Sequence, residues 1–203
     1  MRKLSIVVPK LVVASLVAGL LIVPNGDNAW ARTLKSSVTE VAQIPSVRPE
    51  YPVPKEPNML FYIQRSVNAN TVIYAAHLDA RGRLDQSEPV EVYWRWYNVD
   101  GHRKSLNFIE RMMAYGVSLD RHARPQDAVA FKIAALPERD LLLARDTKGG
   151  AEALIRMGDH LVRLVYVYLQ VDNRGLMPDV TSLDLFGIDT VSGKALHEHV
   201  MRS

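Results

Sequence analysis

Residues 89–116 read PVEVYWRWYNVDGHRKSLNFIERMMAYG. Val90, Val92, Trp94 and Trp96 alternate with Glu91, Tyr93, Arg95 and Tyr97. Side chains alternate across a strand with period two, so each set lines one face. The Val/Trp set predicts a core face. The other set carries an acid, a base and two phenols. Such a face either covers a sheet or forms the polar-aromatic floor of a ligand site, because a tyrosine combines apolar area with a hydroxyl. Asp100-Gly101 supplies turn chemistry. Ser105 is placed to cap a helix running to Tyr115. Leu106, Ile109 and Met113, with Phe108, Met112 and Tyr115, give that helix a broad apolar stripe that predicts packing on a sheet. Glu110-Arg111 reads as its solvated side and the methionine pair as core filler. Gly116 stands where a left-handed C-terminal residue is expected.

Outward from this stretch the chain is a series of short alternating runs. Strands are predicted over 59–66, 71–79, 90–97, 128–136, 140–146, 151–157, 160–172, 181–189 and 194–200, separated by turns rich in Asn, Gly and Pro. The run HLVRLVYVYLQVD at 160–172 is apolar on both faces at its centre, which places it inside a sheet covered on both sides. Its Tyr166 and Tyr168 are expected on the same face as Val162 and Leu164. Connections are short and no βαβ alternation appears. The predicted fold is mainly β: one antiparallel sandwich or partly closed barrel of about nine strands, with a single packed helix.

The amino terminus reads differently. Arg2 and Lys3 precede an apolar run from Leu11 to Val23, and Ala29-Trp30-Ala31 follows as a small-x-small cleavage site. That order predicts a secretory signal peptide over residues 1–31. The run is shorter than the roughly 20 residues that span a bilayer, so no membrane span is expected after cleavage. Cleavage removes Arg2, Lys3 and Lys10 from 25 bases and Asp27 from 22 acids, leaving 22 against 21. This near-neutral balance gives no electrostatic footprint for nucleic acid. The chain has no cysteine, so an exported form must rely on its core, which suits a bacterial periplasm. Pro45, Pro49, Pro52, Pro54 and Pro57 then predict an extended, flexible or surface-hugging arm over 32–57, before a β-rich domain at 58–203.

The segments LFYIQRSVNANTVIYAAHLD, EPVEVYWRWY, LNFIERMMAYGV and LDLFGIDTVSGK together resemble the family catalogued as domain of unknown function 4833, over Asn58 to Val200. The resemblance implies one domain over this span. It carries no catalytic or ligand residue across.

Three clusters remain as candidate chemistry. Tyr93, Arg95 and Tyr97 are the candidate ligand floor. His197-Glu198-His199 is the most ligand-like cluster, since His197 and His199 share a strand face about 7 Å apart. A metal there needs a third ligand, to be sought among His77, Asp79, His102 and His160. His77-Leu78-Asp79 offers half of an acid–base pair, without a nucleophile elbow or a thiol. Lys148-Gly149-Gly150 is a hairpin tip, not a phosphate loop. No cofactor motif is present. The leading expectation is an exported noncatalytic binding module for a small ligand or envelope partner. A metal- or His/carboxylate-dependent hydrolase and a structural envelope protein with an exposed edge strand are the alternatives.

Overall fold

The period-two alternation is realised as twelve strands among the described residues. The structure, a computed structural model, describes residues 36–79, 81–85, 87–120, 128–146, 149–174 and 179–202. The predicted signal peptide, the 121–127 connection and Lys148 lie outside these. In chain order the strands are β1 (Ser36–Val41), β2 (Met59–Arg65), β3 (Asn68–Ala76), β4 (Val90–Arg95), β5 (Arg103–Ser105), β6 (Val117–Asp120), β7 (Ala128–Ile133), β8 (Leu141–Arg145), β9 (Ala151–Met157), β10 (His160–Asp172), β11 (Asp179–Asp189) and β12 (Ala195–Met201). Nine of them pair in the order β5-β4-β3-β2-β10-β9-β8-β7-β6 and curl into a half-barrel. β11 lies along β10, β12 along β11 and β1 along β12. Among the described residues the fold is mainly β with one helical segment, and every pairing is antiparallel except β10 with β2. Of the predicted sandwich and partly closed barrel, the second describes it.

β10 is the organising strand. β11 runs along one edge of it, while the other edge pairs first with β9 through His160–Arg163 and then with β2 through Tyr166–Leu169. Between these two neighbours Val165 bulges out of the register: Leu164 faces Gly187 and Tyr166 faces Phe186. A bulge inserts one residue and so reverses the alternation beyond it. Val162 and Leu164 therefore join Val167 and Leu169 in the main core, while Tyr166 and Tyr168 turn to the opposite face. This corrects the expectation that all four residues before the bulge and after it share one face. Gly187 permits the close approach, since a Cβ there would lie 2.4 Å from Val162 Cγ1 and 2.5 Å from the Arg163 carbonyl oxygen.

The main core holds Val90, Val92 and Trp94 with Phe61, Ile63, Tyr74, Phe131, Leu141, Ile155 and Leu164, as the alternation in β4 predicts. A second, smaller cluster covers the other face: Tyr62, Ile73, Tyr93, Tyr166, Tyr168 and Phe186, with Ile44 and Val47 packed against it. Ile44 and Val47 come from the Pro-rich arm. Its first described residues form β1, ahead of the first proline, and its remainder lies over the polar-aromatic face.

The helix is shorter than its stripe predicts. Ser105 ends β5; the cap is Asn107, whose side chain accepts from the Glu110 amide while the Glu110 carboxylate accepts from the Asn107 amide. This capping box starts a single α-turn, α1 (Phe108–Glu110), continued as a π-turn over Arg111–Tyr115. Only Leu106 and Tyr115 of the predicted stripe are buried; Phe108, Ile109, Met112 and Met113 are exposed. Gly116 is extended, φ −65° and ψ 158°, rather than left-handed. Its role is steric, because a Cβ would lie 1.9 Å from the Arg111 carbonyl oxygen. Among the described residues no helix is long and apolar enough to cross a membrane.

Candidate functional site

The polar-aromatic face extends from β4 across β3, β2, β10 and β11 to β12, and its two ends are built differently. At the β4 end the Pro-rich arm closes it. Glu56, only 9% exposed, meets Arg95 in a two-pronged pair, Arg95 Nε to Oε1 at 2.7 Å and Nη2 to Oε2 at 2.6 Å. The Tyr93 hydroxyl donates to the same carboxylate at 3.3 Å. The Arg95 guanidinium holds the Glu56 carboxyl below its ordinary pKa, and burial, then Glu56, pushes the Tyr93 hydroxyl up to about 12. Nearby, buried Gln64 donates to the Pro52 carbonyl at 3.0 Å. Of the predicted floor, Tyr93 is buried, Arg95 is held by the arm and Tyr97 is half-buried beside them, its hydroxyl pKa raised by burial.

Between the ends runs a stack of rings, one from each of four neighbouring strands. Tyr62 lies 4.7 Å from Tyr166, Tyr166 5.3 Å from Phe186, and Phe186 4.5 Å from His197, all near-parallel. Each such pair adds about 0.5–1.5 kcal/mol beyond area burial. The Tyr166 hydroxyl is buried without a hydrogen-bond partner, and that burial raises its pKa strongly. Burial also pushes Tyr62 up to about 12.

The stack ends in the open. His197 and His199 on β12 both meet Asp184 Oδ1 on β11, His197 through Nε2 and His199 through Nδ1, each at 2.8 Å. Their side chains are 27% and 40% exposed. Tyr168, Asp184, His199 and Ser37 are successive cross-strand partners from β10 to β1, and Phe186, His197 and Thr39 form the adjoining row. With His197 Nε2 donating to Asp184, His197 Nδ1 is an acceptor; His199 Nε2 stands 3.2 Å from Met201 Sδ, a thioether that can only accept. The cluster presents hydrogen-bonding groups beside an aromatic base.

The other predicted ligands lie elsewhere. His77 Nδ1 meets the Glu88 carbonyl oxygen, Asp79 holds Arg83, His102 pairs with Asp100, and His160 Nδ1 meets Asp189 at 2.7 Å. None joins His197 and His199, and among the described residues no three His, Cys, Asp or Glu side chains are disposed to hold a metal. Asp184 Oδ1 occupies the point where the two imidazoles converge. Asp184 and Glu56 escaped the sequence reading. For Asp184 a signal existed: folding the last two strands about Val191-Ser192 sets it opposite His199. For Glu56 none did, because its partner is 39 residues away on another element.

No curated protein and no solved structure matches the chain. A family model does, over residues 61–199, spanning β2 through β12 and so both ends of this face. The chain belongs to the family described as Domain of unknown function (DUF4833).

Proposed function

We propose that this chain is an exported, noncatalytic binding module that holds a small polar ligand, or a polar group of an envelope partner, at the open end of its polar-aromatic face. The observation that carries this reading is the termination of a four-ring stack in a partly exposed imidazole whose Asp184 partner is shared with a second histidine. Ordered hydrogen-bonding groups over a rigid aromatic base suit recognition of hydroxyls, amides or acids. Tyr93 and Arg95 act as a structural part of the face, sealed by Glu56. The signal-like leader and the absence of cysteine support the reading of export to the periplasm.

The test follows the ring proton signals of His197 and His199 by NMR while a small-molecule extract of the envelope is added. They should shift in the native chain and stay still in Asp184→Asn. If only the signals of His102 or His160 move, the assignment to this end is wrong. A hydrolase remains the second reading, favoured by one observation: His199 Nδ1 rests on a carboxylate, the orientation of a general base. Ester hydrolysis that disappears in His199→Ala and survives in His102→Ala would turn the conclusion to that reading.

A further inference from the structure

Among the described residues three buried side-chain polar atoms lack a hydrogen-bond partner. The Tyr166 hydroxyl belongs to the ring stack already described. The other two, Arg65 Nε and Trp94 Nε1, sit on side chains that touch each other on the main-core side of the sheet. Arg65 ends β2 and lays its guanidinium over the Trp94 ring of β4, 4.7 Å from the centroid. Tyr115 meets the same indole edge-on at 5.1 Å and is itself anchored by the Tyr74 hydroxyl, which donates to its carbonyl at 2.8 Å. Arg65 Nη2 donates to Asn68 Oδ1 at 3.2 Å, which fixes one prong of the guanidinium. Trp94 is only 3% exposed.

An N–H taken out of water without an acceptor is costly, and a charged one more so. Two of them on touching side chains call for an acceptor from outside the chain. A guanidinium stacked on an indole keeps its N–H groups directed outward in its own plane, where they can still bind an anion. The charge around the pair is positive. Lys104 on β5 stands opposite Trp94 in register, and its Nζ lies 3.6 Å from the Trp96 ring centroid. Among the described residues neither Arg65 nor Lys104 pairs with a carboxylate. Glu110, whose charge acts on the Tyr115 hydroxyl, bonds the Asn107 amide, and Asp100 pairs with His102. Water would supply an acceptor and leave this charge unmatched; an anionic oxygen supplies both acceptor and charge. Arg65 and Trp96 are partly exposed and Lys104 is exposed, so the group lies at the rim of the core, within reach of solvent.

We infer that this rim is a second binding site, one that takes an oxyanion, the carboxylate or phosphate group of a small ligand, on Arg65 Nε and Trp94 Nε1 with Lys104 beside them. The inference is independent of the ligand reading at Asp184, which lies on the opposite face of the sheet.

The indole proton of Trp94 reports on the site directly, because it moves downfield in the NMR spectrum when it gains an acceptor. The full chain, isotopically labelled and dialysed to remove small anions, is titrated with sodium acetate and separately with sodium phosphate at fixed ionic strength. Trp94→Phe identifies the signal. The expected result is a saturable downfield shift of the Trp94 indole proton with at least one of the two salts, larger than that of Trp96. A response to acetate alone assigns a carboxylate, and one to phosphate alone a phosphate group. Arg65→Lys keeps the charge and loses Nε, so it should weaken binding at least about 10-fold. Lys104→Gln should weaken it about 2- to 5-fold, since this side chain is exposed. A native-like melting transition shows that each variant folds; if Arg65→Lys does not, Lys104→Gln carries the comparison. No saturable shift in the native chain with either salt overturns the inference, as does a shift that both folded variants leave unchanged. A Trp94 proton that exchanges magnetisation with a bound water and ignores both salts also overturns it, and assigns the acceptor to water.

Discussion

Arg95 on β4 and His197 on β12 share one face of the same sheet, yet the chain treats the two ends of that face in opposite ways. Arg95 receives a carboxylate from the Pro-rich arm, and its neighbour Tyr93 is buried by the same segment. His197 and His199 share a carboxylate from the adjacent strand and keep part of their rings in solvent. The first arrangement pairs Arg95 and Tyr93 with an acid whose side chain is only 9% exposed. The second pairs one nitrogen of each ring with Asp184, and His199 Nε2 also meets Met201 Sδ. A polar-aromatic pattern is thus compatible with both structure and recognition, and the origin of the neutralising acid separates them.

The comparison can be broken most forcefully at the stack that joins the two ends. Tyr166→Ala removes a fully buried ring between Tyr62 and Phe186 and should cost about 3–5 kcal/mol, read by chemical denaturation. A loss under about 1 kcal/mol would mean that the stack contributes little. At the closed end, Glu56→Ala leaves Arg95 and Tyr93 without their acceptor and should cost about 1–3 kcal/mol. Limited proteolysis within residues 42–58 should accelerate in parallel.

Acid provides a gentler probe of the same seal. The folded-state pKa of Glu56 is depressed, so its contribution is present above the ordinary carboxyl range and is lost as pH falls through the folded value. Between about pH 5 and about pH 3 the melting temperature of the native chain should fall more steeply than that of Glu56→Gln. Equal slopes would show that the pair contributes nothing to the acid limb. Tyr166→Phe deletes a buried hydroxyl that has no partner, so stability should stay level or rise by up to about 1 kcal/mol. At the open end Asp184→Asn should change stability by less than about 1 kcal/mol, because its partners are partly solvated. The ends differ as described only if this last change is the smaller one.

Much of the fold was legible in alternation alone. The run at 160–172 and that at 151–157 became β10 and β9 without change of boundary, since both are long, periodic and bounded by turn residues. β1, β5 and β6 were not read as strands. They are three to six residues long and largely polar or exposed, and they pair as edges because neighbours offer free backbone groups. The faces of Tyr166 and Tyr168 were misplaced because a bulge at Val165 is a property of pairing and leaves no mark on β10 itself. The capping box N-x-x-E at 107–110 was present in the sequence, but Ser105 competes for the same role until β5 claims it. At the site, the period of two put His197 and His199 on one face, while their acid required hairpin register and the closing of the Tyr93/Arg95 end required tertiary structure.

The account stands on the claim that the open end, not the sealed one, recognises a ligand. Native mass spectrometry of the protein purified from the cells that make it tests this most directly, with the native chain, Tyr97→Ala and Asp184→Asn compared. The account predicts an added mass on the native chain and on Tyr97→Ala that is missing from Asp184→Asn. An adduct that survives Asp184→Asn and vanishes with Tyr97→Ala would contradict it.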